Sequence, residues 1–218
     1  MKLSNLICVF VLVVGFNSAW GKALQTEIQK LNKAIELDQK AVFKKFLLNK
    51  KTNLNAQGDE GMTPLMTAAS SGNLAAAEAL LKRKVALNLK NNIGDTALAI
   101  AVSADQSEIA EKLIHAGASL DSSPVSEIAD TLLIAASKSS LDVVKAILSK
   151  DKKRLNEING QGNTALMEAV RTGYNDIAKF LISQGADTKL KNKAGKSALD
   201  LAKDNYNTEA VKFLAAAK

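Results

Sequence analysis

Two hydrophobic patterns divide the chain. Residues 6–16 are apolar except for Gly15, a run of 11 residues. Lys2 precedes the run, and the small residues Ser18, Ala19 and Gly21 follow it. Such a run is too short to span a bilayer, which takes about 20 residues, and the layout is that of a secretory signal peptide over residues 1–21. The small residues allow cleavage after Gly21 or after Ala19; an uncleaved anchor is the alternative. Cys8 lies inside the run behind Asn5-Leu6-Ile7. It therefore lacks the small residues that a lipid-attachment site has before its cysteine.

Beyond residue 21 the apolar positions come in short blocks at helical spacing, and the blocks recur. Gly61-Met62-Thr63-Pro64-Leu65 leads to Ala68-Ala69 and Gly72. Gly94-Asp95-Thr96-Ala97-Leu98 leads to Ala101, and Asp130-Thr131-Leu132 leads to Ala135-Ala136. Gly162-Asn163-Thr164-Ala165-Leu166 leads to Ala169 and Gly173, and Gly195-Lys196-Ser197-Ala198-Leu199 leads to Ala202. The anchors 63, 96, 130, 164 and 197 are 33, 34, 34 and 33 residues apart. Each is followed 17 and 18 residues later by a second pair: Leu80-Leu81, Leu113-Ile114, Ile147-Leu148, Leu181-Ile182 and Leu214-Ala215. Gly117-Ala118 and Gly185-Ala186-Asp187 close two units. The anchor Thr or Ser suits a helix N-cap, whose oxygen accepts from a free N–H of the first turn. Pro64 suits the first helical position, Ala permits close helix approach, and Gly after the helix permits a left-handed turn. No such unit buries its apolar face alone, so the units must stack.

On these residues the chain resembles the ankyrin repeat family, whose unit reads Gly-x-Thr-Pro-Leu-x-x-Ala-Ala-x-x-Gly, then a Leu pair, then Gly-Ala-Asp. The resemblance runs over about residues 29–218. It implies an all-α fold, an ankyrin-repeat solenoid of about six helix–turn–helix units with β-hairpin loops. One array over residues 22–218 then divides into a degenerate first repeat (29–57, with Leu31, Ala34, Asp38, Phe46-Leu47 and Asn55), then 58–90, 91–124, 125–158, 159–191 and a cap repeat, 192–218. The fourth repeat departs most, with Asp130, Ser139 and Lys152 where the anchor and the two turn glycines stand elsewhere. Its polar flanks, 119–126 with Pro124 and 151–154, predict a less regular joint with longer loops.

Composition narrows the chemistry. One His and one Cys leave no Cys/His metal centre and no internal disulfide. Loss of residues 1–21 removes the Cys and one Lys but no acid, so the net charge falls from +7 to +6. A mature chain free of cysteine suits an oxidising compartment. Gly195-Lys196-Ser197 matches only the end of a phosphate-binding loop, and Leu190 stands where that motif needs Gly. His115 reads as a cation at a helix C-terminus. Neither a catalytic group nor a cofactor site stands out. The basic residues are interleaved with acids, only Arg83, Arg154 and Arg171 are arginines, and aromatics are 4%, too few to stack on bases. Nucleic acid is therefore not the expected partner; weak attraction to an anionic surface is compatible with the charge.

The resemblance implies a protein partner, met by hairpin tips and the exposed face of the first helices. By register the tips supply Asp59, Glu60, Met62, Asn92, Ile93, Asp95, Gln161, Asn163, Lys193 and Lys196, and the groove supplies Ser70, Ser71, Ser103, Ala104, Lys138, Arg171, Thr172 and Tyr174. Met62 and Ile93 are either apolar contacts or packing between hairpins; Tyr174 is either a contact or a stabilising surface ring. The whole layout, a short basic array behind a signal peptide, is similar to small periplasmic ankyrin proteins of Gram-negative bacteria. Among them it resembles self-protection proteins of predatory bacteria, which block a co-exported peptidoglycan endopeptidase of the penicillin-binding-protein type. An assembly or stabilising factor for another exported enzyme, catalase-like for example, and a secreted effector binding a host protein are the alternatives. The free chain is expected to be a periplasmic monomer without stable membrane insertion.

Overall fold

The computed structural model describes residues 19–120, 132, 135, 138 and 140–216, with side chains from residue 26 onward. The apolar run 6–16 and the fourth-repeat positions Asp130, Thr131, Ala136 and Ser139 lie outside the described residues. Eleven helices are described: α1 (Ala19–Glu36), α2 (Lys40–Leu48), α3 (Pro64–Ser71), α4 (Leu74–Lys82), α5 (Ala97–Ser103), α6 (Ser107–His115), α7 (Leu141–Lys150), α8 (Ala165–Thr172), α9 (Asn175–Ser183), α10 (Ala198–Asp204) and α11 (Thr208–Ala216). They stack in two rows, as an ankyrin-repeat solenoid does. In the inner row α1 packs on α3, α3 on α5 and α8 on α10; in the outer row α2, α4, α6, α7, α9 and α11 follow one another. Leu132 and Ala135, both helical and fully buried, stand at the register positions of Leu98 and Ala101 in α5.

The repeated residues do what their chemistry suggests. Thr63, Thr96, Thr164 and Ser197 each accept a bond from the amide three residues on, at 3.2, 3.2, 3.3 and 3.2 Å. Ala68, Ala69, Ala101, Ala169 and Ala202 are completely buried, which lets the inner helices approach closely. In the outer row Leu80, Leu113, Ile147 and Leu181 are completely buried, while their partners Leu81 and Ile182 pack only at the edge. Gly72 and Gly173 end α3 and α8 with positive φ. The same slot in other units is filled by Asp38, Asp105 and Tyr206, also at positive φ.

Successive units are tied by asparagines. Asn55, Asn88 and Asn156 each accept, through the side-chain oxygen, the amide of a residue 31 positions on: Ala86, Ser119 and Asp187. The expected β-hairpin loops reverse the chain, but no strand occurs among the described residues; one antiparallel bridge joins Ile158 and Thr164. Asx turns replace a ladder. Asn91, Asn159 and Asn192 each accept two amides of their own loop through the side-chain oxygen. Turn geometry of this kind satisfies the loop backbone locally.

Candidate partner-binding surface

The hairpin tips form a connected row. The Asn92 amide donates to the Glu60 carbonyl and the Lys193 amide to the Gln161 carbonyl, both at 3.0 Å. These bonds fix neighbouring tips against each other and leave their side chains outward. Asp59, Glu60, Asn92, Ile93, Gln161, Lys193 and Lys196 are all exposed, as are Ser70, Ser71, Ser103, Lys138 and Arg171 on the inner row. Ile93 is 67% exposed, so its apolar surface is offered to solvent. Met62 is not equivalent: it is half-buried and packs against the core. Tyr174 is likewise half-buried against the core, which makes it mainly a packing ring. Thr172 is half-buried and donates back to the Glu168 carbonyl at 2.8 Å. Ala104, which follows Ser103, is half-buried as well.

Asn163 is the tip residue that the surface does not present. It is 8% exposed, and its amide nitrogen donates to Glu168 Oε1 at 2.8 Å. Asn159 donates to the same oxygen at 3.0 Å, and Asn192 donates to Asn163 Oδ1 at 2.8 Å. Arg171 completes the set, with Nε and Nη2 on Glu168 Oε2 at 2.9 and 2.7 Å. Glu168 is thus a buried carboxylate with four donors, the arrangement that burial of a charged group demands. Neither Glu168 nor the inward turn of Asn163 is visible from repeat register alone. A carboxylate on the apolar side of an Ala/Leu/Val helix, five residues after an Asn, was the available signal.

Elsewhere local electrostatics tune single residues. Asp95 is half-buried, and burial raises its carboxyl above the usual Asp range. Lys196 pairs with Asp204 at 2.7 Å, and that hydrogen bond raises its ammonium pKa. Asp200 accepts from the Ser197 hydroxyl and amide, which lowers its carboxyl. His115 sits exposed at the end of α6, its Nδ1 2.8 Å from the Glu111 carbonyl. Among the described residues no three His, Cys, Asp or Glu side chains converge as metal ligands. No described helix is long and apolar enough to cross a membrane.

The N-terminal end adds a wall that register did not reveal. α1 has 18 residues, against 8 in α3 and 8 in α8. Ile28, Leu31 and Ile35 continue one buried stripe along it, a helical spacing readable from the sequence. Beside α1 and the Asp59–Met62 tip lies an open groove of about 670 Å³, lined by Gln29, Lys30, Asn32, Lys33, Glu36, Asp59, Glu60, Met62 and Thr67. Gln29 Nε2 reaches both Asp59 carboxylate oxygens at 3.1 Å and pins the tip to the wall.

A solenoid of stacked helix pairs, with an outward row of variable tip side chains, defines a class of protein-binding modules. The profile of the ankyrin repeats (three copies) matches residues 31–123 and 132–218. The chain belongs to the ankyrin repeat family, whose arrays bind protein partners. A chain in the structure of the predatory endopeptidase Bd0816 from Bdellovibrio bacteriovorus in complex with the immunity protein Bd3460 is 43% identical. The match covers 87% of this chain and 98% of that one, with a TM-score of 0.79. EF0377, an ankyrin repeat protein of known crystal structure, is 30% identical over 86% of this chain and 97% of its own, with a TM-score of 0.77. The NAD-capped RNA hydrolase NUDT12 of Macaca fascicularis is 36% identical over 85 residues. That stretch is 39% of this chain and spans only 18% of the curated relative's length.

Proposed function

We propose that this protein is an exported, non-catalytic immunity protein. In this reading it binds a peptidoglycan-cleaving endopeptidase of the penicillin-binding-protein type, made and exported by the same cell, and blocks it. The observation that carries the reading is the 43% identity, over nearly the whole array, to a chain from the complex of a predatory endopeptidase with its immunity protein. Export rests on the apolar run 6–16 behind Lys2 and the small residues after it; the periplasm is then the site of action. The mechanism is steric. The tip row and the inner helices cover the mouth of the hydrolase, and a polymeric substrate is excluded while the chain itself does no chemistry. The exposed tip residues Asp59, Glu60, Asn92, Ile93, Gln161 and Lys193, with the inner-row residues Ser70, Ser103, Lys138 and Arg171, are the contact set on this reading.

The test is digestion of peptidoglycan by the purified endopeptidase with increasing amounts of the protein. Stoichiometric loss of digestion is expected. Normal digestion at saturating protein overturns the immunity role. Capture of another exported enzyme from the same compartment, with a gain in that enzyme's lifetime, would put a stabilising factor in its place.

A further inference from the structure

The Glu168 cluster uses more polar groups than a hairpin closure needs. Glu168 is the one buried ionisable residue among the described residues, at 7% exposure. Its oxygens are shared between two asparagine amides and one edge of the Arg171 guanidinium. Those asparagines belong to the fifth hairpin, and Asn163 is held in turn by Asn192 of the sixth. Two hairpins and one inner helix therefore converge to fix a single carboxylate, and that carboxylate fixes one arginine. Arg171 itself remains 48% exposed in its side chain. It spends Nε–H and one Nη2–H on Glu168; its three other N–H donors lie on the far edge of the fork and make no hydrogen bond among the described residues. In the same slot of the other described inner helices stand Glu36, Ser70, Ser103 and Asp204; Glu36 is paired with Lys33, and Asp204 is committed to Lys196. The neighbouring repeats add exposed Lys138 on one side and exposed Lys193 on the other.

We propose that Arg171 is the docking point for a carboxylate side chain of the partner protein, and that Glu168 is the positioning residue that presents it. This deepens the reading above and rests on it for the identity of the partner. A guanidinium already locked at one edge loses little side-chain freedom on binding, which is where a flexible cation loses most of its gain. Its outer edge is planar and forked, matched to a carboxylate rather than to a point charge. The flanking lysines add attraction of the same sign without fixing geometry. Lysine at 171 keeps the charge but loses both the fork and the Glu168 clamp.

The experiment measures affinity for the endopeptidase with wild-type protein and with Arg171→Gln, Arg171→Lys, Glu168→Gln and Lys193→Gln. Arg171→Gln and Arg171→Lys are expected to weaken binding about tenfold or more, and Lys193→Gln less than about threefold. Glu168→Gln falls between them, and circular dichroism checks that it remains folded. An Arg171→Lys variant that keeps wild-type affinity, or an Arg171→Gln variant that binds normally, overturns the docking role while the immunity reading stands. A wild-type protein that does not bind the endopeptidase sinks that reading instead. Arg171 is then read by NMR of its side-chain N–H groups during titration with hexaglutamate. A saturable shift at Arg171 that persists in Lys193→Gln supports the docking point, and unmoved Arg171 resonances overturn it.

Discussion

Two pairs of neighbouring hairpins, 58–62 with 91–95 and 159–163 with 192–196, share one backbone plan. Each pair is joined tip to tip by a bond of 3.0 Å, from Asn92 to Glu60 and from Lys193 to Gln161. Their side chains part company. The first pair shows Asp59, Glu60 and the apolar Ile93 to solvent, beside an open groove floored by Thr67. The second shows Gln161 and Lys193, and the slot of Thr67 is occupied by Glu168, which ties the hairpin shut. Even the loop-closing Asn differs. Gly58 stands where the others have Asn, and Gln57 Nε2 supplies bonds to the Gly61 and Lys90 carbonyls at 2.9 and 2.7 Å. The scaffold is thus carried by backbone and asparagine bonds, and residues released from that duty set the charge and shape of each tip.

The comparison breaks most strongly at the glycines. A Cβ on Gly162 would lie 2.8 Å from the Lys193 backbone nitrogen, on a backbone with φ of +80°. A Cβ on Gly195, at φ +74°, would meet nothing within 4 Å. Gly162→Ala must bear the left-handed backbone and also push apart the tip-to-tip bond, so a loss of about 3 kcal/mol is expected. Gly195→Ala bears only the backbone and should lose about 1 kcal/mol. Urea unfolding of both variants measures the gap; equal losses would mean that the tip contact contributes nothing. Next comes the slot behind the hairpin. Glu168→Ala strands two buried amides and releases Arg171, for a loss of about 2 kcal/mol. Thr67→Ala removes only a hydroxyl bonded to the Thr63 carbonyl of its own helix and should change stability by less than about 0.5 kcal/mol. The same unfolding series, with a parallel loss at both positions, would refute the division into an open and a tied hairpin.

What was legible in the sequence follows the same division. Thr63, Thr96, Thr164 and Ser197 were readable as caps because the partner amide lies three residues along the same chain. The Ala and Leu positions were readable because stacking repeats their environment at each unit. The inward turn of Asn163 was not, since it depends on Glu168 in one element and Asn192 in the next unit. The extent of α1 was hidden because its apolar stripe follows closely on the run 6–16 and precedes the first anchor. Tyr206 was hidden for a different reason. It holds the left-handed slot that Gly fills elsewhere, at φ +54° and 89% exposed, where register alone predicts Gly or Asn. Register finds repeated environments; the first two cases are unrepeated ones, and the third is a repeated slot filled by an unexpected residue.

The smallest effect tests the comparison at a single slot, the residue before the cap, where Asp95 and Asn163 correspond. Two influences oppose each other at Asp95. The N-terminus of α5, two residues on, favours a negative charge, whereas burial disfavours it and prevails, raising the carboxyl pKa. A carboxyl whose folded pKa lies above its unfolded value favours the folded state while protonated. That advantage is present below the usual Asp range near 4 and is lost as pH rises through the raised folded value. Asp95→Asn removes the charge and reproduces the residue found at 163. At pH 7 the variant should therefore be the more stable, by about 0.5 kcal/mol or less, since solvent screens a half-exposed group. The difference should close as pH falls below about 4, where wild-type Asp95 is itself neutral. Thermal unfolding of the pair between pH 3 and pH 7 gives the sign directly. A variant less stable than wild type at pH 7 would mean that the helix terminus, not burial, governs this slot, and that the acidic tip is built for its charge even within the free protein.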